Sequence, residues 1–157
     1  MTIARLATLT LLASVLAVAA DPFVGTWKPN LDKWKTSTSP DNIYRTLTIK
    51  WEAAGNDQYR TTSYTPDGKP RMAPDGKTAP ALNHFYDGIE HPRGTSNTVI
   101  GQRLNERNLK ETIKGAKGTT LLEYFVSADG KTLTQTAKGT GNDTGRTLDE
   151  VLVYERQ

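Results

Sequence analysis

The 157-residue chain contains no cysteine, so it has no disulfide framework to lean on and no thiol nucleophile to offer. It also lacks a strong charge bias. The formal net charge is +3, from 20 basic and 17 acidic residues, and the basic ones are scattered among acids from Lys28 to Arg156, a pattern too weak for a nucleic-acid surface. Long apolar runs are missing too, with one exception at the start. In MTIARLATLTLLASVLAVAA the run from Leu6 to Ala20 is about fifteen residues, shorter than the roughly twenty that span a bilayer. Arg5 precedes it, and the small residues Ala17, Ala19 and Ala20 close it. Residues 1–20 therefore read as a cleaved secretory signal rather than a retained anchor. The expected product is a secreted or periplasmic chain of residues 21–157, not integral to the membrane. That length suits one domain, held by burial and hydrogen bonding alone.

What remains is rich in threonine, with Tyr, Phe, Val and Ile in short runs broken by Gly, Asn and Asp. This is the composition of short strands between tight turns. In IYRTLTIKW, Ile43, Leu47, Ile49 and Trp51 share one face and Tyr44, Thr46, Thr48 and Lys50 the other, with Arg45 the exception on the apolar side. Period two of this kind marks a half-buried strand. After the turn at 54–57, similar pieces follow: QYRTTSY (58–64), NTVIGQRL (97–104), RNLKETIK (107–114), TTLLEYFV (119–126), TLTQTAK (132–138) and RTLDEVLVYER (146–156). Turns at 105–106, 115–118 and 128–131 and a Gly/Asn loop at 139–145 separate them.

Hairpin-linked strands with no helix between them predict an all-β, antiparallel up-and-down barrel of about eight to ten strands, because a meander this long leaves two open edges unless it closes. One short N-terminal helical turn is expected around Asn30 to Lys35, capped by Asn30 and ended by Pro40. The segment TPDGKPRMAPDGKTAPA, 65–81, carries Pro66, Pro70, Pro74 and Pro80 with two Asp-Gly-Lys turns, so it is a loop. It is either a lid over one mouth of the barrel or an insertion on its surface.

FVGTWK (23–28) at the start and VYER (153–156) at the end resemble the calycin superfamily, the lipocalins and fatty-acid-binding proteins. Asp21-Pro22-Phe23, Tyr86-Asp87-Gly88 with Pro92, and the Asp129 to Thr132 turn are similar to secreted bacterial lipocalin-like proteins of unassigned function. The resemblance implies a lipocalin-like barrel whose first strand carries Gly25 and Trp27, with Trp27 across the closed end of the cavity. A tryptophan there buries about 200 Å² and needs one partner for its N–H. The resemblance also implies a basic residue stacked on Trp27, for which Arg156 and Arg146 are the candidates. Fatty-acid-binding proteins commonly end Arg-x-Tyr-Glu. Here Tyr154 and Glu155 match but the arginine position holds Leu152, which removes the strongest partner for a buried carboxylate.

For chemistry the sequence offers little. If Asp87-Gly88 is a two-residue hairpin turn, His84 faces His91 at a distance that suits one metal ion, yet no third ligand shares that face. A serine or threonine nucleophile finds no Gly-x-Ser-x-Gly context, and Gly139 to Asp143 is not followed by the helix a phosphate loop needs. No cofactor is expected. The leading expectation is a non-catalytic carrier that takes a small hydrophobic or amphipathic molecule among Trp27, Leu47, Ile49, Leu122, Tyr124 and Tyr154. The alternatives are a filled barrel that contacts an envelope or partner protein through the 65–81 loop, and a barrel isomerase or metal-dependent enzyme.

Overall fold

In the computed structural model, which describes residues 20–35 and 47–157, the alternating runs become ten strands. They are β1 (Gly25–Pro29), β2 (Thr48–Gly55), β3 (Gln58–Tyr64), β4 (Leu82–Phe85), β5 (Asp87–Arg93), β6 (Asn97–Asn105), β7 (Asn108–Gly115), β8 (Gly118–Val126), β9 (Thr132–Thr140) and β10 (Thr147–Arg156). All but Ala20 of the expected leader, and residues 43–46 of IYRTLTIKW, lie outside the described residues, as does Pro40. No described helix is long and apolar enough to cross a membrane.

The strands form a single antiparallel sheet in the order β4-β3-β2-β1-β10-β9-β8-β7-β6-β5. Consecutive strands pair except β4 with β5, and the first strand also pairs with the last, through Trp27↔Arg156 and Lys28↔Glu155. The two outermost strands, β4 and β5, are consecutive in the chain, so the sheet curls on itself into a nearly closed barrel with a seam between them. No backbone ladder runs across that seam. What crosses it is a close approach of chain to chain: a Cβ added to Gly101 on β6 would sit 2.0 Å from the Phe85 carbonyl oxygen on β4. Only glycine permits that spacing.

Side-chain alternation puts Leu109, Glu111 and Ile113 of β7 and Thr120, Leu122, Tyr124 and Val126 of β8 inside. The core is rich in aromatics: Phe23, Trp27, Trp51, Tyr59, Tyr86, Tyr124 and Tyr154 are buried in one cluster. Trp27 Nε1–H donates to the Phe23 carbonyl at 2.9 Å. Arg156 is the arginine over its face, 4.2 Å from the ring. Its guanidinium also donates to the carbonyls of Val24 and Gly130, each at 2.6 Å, and to that of Pro22. Gly25, with φ 148°, leaves the room: a Cβ there would lie 2.4 Å from Arg156 Nη1. Arg146, the other candidate, is exposed and donates its backbone N–H to Thr144 Oγ1. Arg103 bonds the Asp57 carboxylate, the Tyr59 hydroxyl and Asp21.

Two local expectations change. The helical turn shortens to one 3-10 turn, Leu31–Lys33, and Asn30 makes no side-chain cap. Its amide donates instead to Glu155 Oε1 at 2.7 Å. Asp87-Gly88 is not a hairpin turn: Gly88 (φ 77°) sits within β5 at an irregularity in the β5/β6 ladder. The chain reverses around Tyr86, whose N–H donates to the Asp57 carbonyl at 2.8 Å. His84 therefore lies opposite Tyr59, and His91 opposite Val99, so the two imidazoles do not face each other. The 65–81 loop, in turn, is folded. Its Asp-Gly turns close with Thr65 N–H to Lys69 O (2.8 Å) and Ala73 N–H to Lys77 O (2.7 Å), and Arg71 bridges the backbones of Ser63 and Ala79.

Candidate functional site

Among the described residues a pocket of about 280 Å³, open on one side, lies between the barrel walls, close to the small end of the range that holds a discrete organic ligand. Leu47, Ile49, Leu122, Tyr124 and Tyr154 are all on its wall, joined by Trp34, Trp51, Leu82, Leu133 and Leu152. Trp27 is not on it. That corrects its expected place as the cavity floor: fully buried and bonded to Phe23, it belongs to the packed base of the barrel. Leu152 faces the cavity as a hydrocarbon. The hydroxyl of its neighbour Tyr154 is pushed above its ordinary value by burial.

The polar part of the wall comes from Thr61, Ser63, Arg71, His84, Arg93, Gln135 and Glu150. Arg71 arrives from the 65–81 loop, which thereby supplies part of the cavity wall.

Behind this wall lies Glu111, 1 % exposed. Its Oε1 accepts from His84 Nδ1 at 2.7 Å and from the Tyr86 hydroxyl at 3.0 Å, and its Oε2 accepts from Arg93 Nη1 at 3.1 Å. Burial by itself would raise this carboxyl. The hydrogen bond and charge of His84, the charge of Arg93 and the Tyr86 hydrogen bond outweigh that effect and hold Glu111 below its ordinary 4.5. The Tyr86 hydroxyl moves well above its ordinary value, through burial first and the Glu111 charge second.

The chain of bonds continues outward from His84, whose Nε2 lies 2.9 Å from Thr61 Oγ1. The imidazole is stacked on Trp51, 5.1 Å between centroids, and is parallel to the Tyr86 ring at 6.4 Å. Trp51 packs edge-on against Tyr59 and Tyr124. Its indole N–H has no hydrogen-bond partner among the described residues.

Thr61 comes from β3, His84 from β4, Arg93 from β5 and Glu111 from β7, so the relay spans the β4/β5 seam from both sides. It ties by side chains the one joint that the backbone leaves unladdered. Carboxylate, imidazole and hydroxyl stand in the order that acyl-transfer enzymes use. The strand around Thr61 is laddered on both sides, to Trp51 and to Leu82, which engages the backbone N–H groups that could otherwise form an oxyanion site.

His91 stands apart. Its ring stacks on Phe85 at 4.2 Å and bonds the Asp87 carboxylate at 3.0 Å. Among the described residues no three His, Asp or Glu side chains gather around a common point for a metal.

Sequence reasoning passed over Glu111, Arg93 and Thr61. A signal for Glu111 was present. In RNLKETIK it is in phase with Leu109 and Ile113, and a carboxylate at a core-facing position of an alternating strand calls for partners.

No family model matches the sequence, and no curated protein matches it. Solved structures do. A Schistosoma mansoni fatty acid binding protein in complex with arachidonic acid matches with TM-score 0.56 and 18% identity, covering 87% of this chain and 96% of that one. Wild-type fluorescent protein UnaG matches at 0.55 and 14%, over 87% and 98% of the two chains. Secretory abundant heat soluble protein 4 from Ramazzottius varieornatus matches at 0.52 and 15%, over 88% and 96%. At these identities the likeness is one of fold: the chain has the barrel of the fatty-acid-binding and lipocalin-like proteins.

Proposed function

We propose that the chain is an exported carrier, akin to the secreted bacterial lipocalin-like proteins, that binds a compact apolar or amphipathic molecule inside the barrel without covalent chemistry. The observation that carries this is the cavity of about 280 Å³, walled by leucines and aromatic rings with polar groups gathered on part of it. Burying the apolar body of a ligand there contributes about 25 cal/mol per Å² removed from water. A solved relative in fold, at 18% identity, holds arachidonic acid, which supports the general mode though not that ligand. Export rests on the sequence of residues 1–20. The 65–81 loop, which a scaffold protein would turn toward a partner, is drawn into this reading by Arg71 on the cavity wall.

The test is native mass spectrometry of protein purified from its own host, together with titration by a lipophilic fluorescent probe. An adduct of small mass, and quenching that is lost when Trp34→Phe and Trp51→Phe are combined but kept in Trp27→Phe, is the expected result, because Trp34 and Trp51 line the cavity and Trp27 does not. A bare mass with no quenching by any probe overturns the proposal.

A further inference from the structure

One stretch of the pocket wall is polar without being charged. Tyr124 on β8, Gln135 on β9 and Tyr154 on β10 all line the pocket. The register brings them together: Tyr124 stands directly opposite Gln135, and Gln135 opposite Leu152, which places Tyr154 one diagonal step away. Direct and diagonal neighbours of this kind lie about 5 and 7–8 Å apart, within reach of a single small molecule. Both tyrosines are almost fully buried, Tyr124 5 % and Tyr154 3 % exposed, yet among the described residues no hydrogen bond reaches either hydroxyl. Nor are the hydroxyls sealed in. Among the described residues, the unpartnered side-chain atoms that no open space reaches are Trp51 Nε1 and the Oδ1 atoms of Asn97 and Asn108, so the two tyrosine oxygens touch the pocket itself.

A phenol hydroxyl is a donor, and the Gln135 amide adds N–H groups on the same side. Once a ligand displaces the water of the pocket, each hydroxyl left without an acceptor is unsatisfied in a dry wall, at a cost comparable to a lost hydrogen bond. The occupant must therefore bring an acceptor to this corner. Its charge is limited by the surroundings. Burial first, and for Tyr124 the Glu111 charge second, hold both hydroxyls above their ordinary value, and a setting that resists a phenolate resists a bound anion for the same reason. No cation offsets this. Leu152 is apolar, Arg93 is matched by Glu111 at 3.1 Å, and Arg71 shares the wall with Glu150. Building on the carrier reading above, we infer that Tyr124, Gln135 and Tyr154 form a docking corner for an uncharged oxygen acceptor, the carbonyl of a ketone, ester or amide on a compact apolar body.

The experiment titrates the full chain with three ligands of nearly equal shape: acetophenone, which carries the carbonyl, ethylbenzene, which lacks it, and benzoate, which carries a charge. Binding is read from chemical shifts of the wall methyl groups, which remain informative when affinity is weak. The quantity compared is the ratio of acetophenone to ethylbenzene affinity in the wild type, Tyr124→Phe and Tyr154→Phe, because the hydration of each free ligand is the same in every titration and cancels. Each substitution keeps the ring and removes only the hydroxyl. The expected fall in the ratio is about two- to tenfold for each hydroxyl that reads the carbonyl, the effect of one net hydrogen bond. A packing defect would weaken both neutral ligands alike and leave the ratio where it was. A ratio lowered in either variant, with benzoate weaker than acetophenone on the wild type, supports the assignment. A ratio unchanged in both variants, benzoate as tight as acetophenone, or acetophenone failing to bind where lipophilic probes do, overturns it and leaves the carrier reading standing. If none of the three binds and lipophilic probes also fail, the carrier reading falls and the docking corner falls with it.

Discussion

Replacing Glu111 by glutamine tests the buried relay most directly, because the side chain keeps its shape and loses only its charge and one acceptor. The amide oxygen can still accept from His84 or Tyr86. The –NH₂ group then stands where Oε2 accepted from Arg93 Nη1 at 3.1 Å, so a donor faces a donor. Losing a hydrogen bond to a charged group costs about 1.5–3 kcal/mol, and breaking a buried pair costs about 3–5 kcal/mol. Arg93 is 22 % exposed, so water takes over part of its solvation and the lower half of the combined range applies. The expected loss is about 1.5–3 kcal/mol at pH 7, measured by equilibrium urea unfolding followed by tryptophan fluorescence. The pH dependence supplies the sign. Glu111 titrates below its ordinary 4.5 in the folded chain, so its stabilisation is fully present above that value and is lost as pH falls through the depressed folded value. The wild type and the Glu111→Gln variant should thus converge in stability as the pH drops well below 4.5. The exposed carboxylates Asp67, Asp87, Asp129 and Glu155, which are also held low, act equally in both proteins and cancel in the difference. A loss under about 1 kcal/mol at pH 7, or a gap that stays constant between pH 7 and pH 3, would refute the reasoning.

Two further outcomes follow from the ends of the barrel. Arg156→Lys removes the fork that reaches the carbonyls of Pro22, Val24 and Gly130 at once; the expected loss is about 2–3 kcal/mol, and an unfolding midpoint within error of wild type would show that the fork does not hold the base together. Gly101→Ala puts a methyl group 2.0 Å from the Phe85 carbonyl, so β4 and β6 must part. The expected loss is about 1–3 kcal/mol with faster amide exchange at Tyr86, and unchanged exchange would remove this contact from the account of closure.

The strands that alternate cleanly were legible in the sequence because period two and a turn signal are local properties. QYRTTSY, TTLLEYFV and TLTQTAK fall within a residue or two of β3, β8 and β9. Strands β4 and β5 were not legible as such. Asp87-Gly88 reads as a hairpin turn in isolation, and only the Asp57 carbonyl that takes the Tyr86 N–H, with the Phe85 carbonyl lodged against Gly101, shows why the chain turns one residue earlier. The site was half legible. Leu47, Ile49, Leu122, Tyr124 and Tyr154 share inward faces and do line the cavity, whereas Trp27 is inward-facing too and lines none of it. Alternation says that a side chain points in; it does not say at what height, or whether another side chain fills the space in front of it.

The sequence by itself determined that the chain is a meander of short strands with no disulfide to hold it, and that position 152 offers no cation to a ligand. Tertiary structure alone decided that the described residues leave a pocket between the barrel walls, that Arg156 and not Arg146 covers Trp27, and that Thr61, His84, Arg93 and Glu111 meet. Those four residues stand on four different strands, two on each side of the seam, and no local pattern relates them. Their distances are set by how far the sheet curls before its edges come together, which depends on the packing of every inward side chain at once.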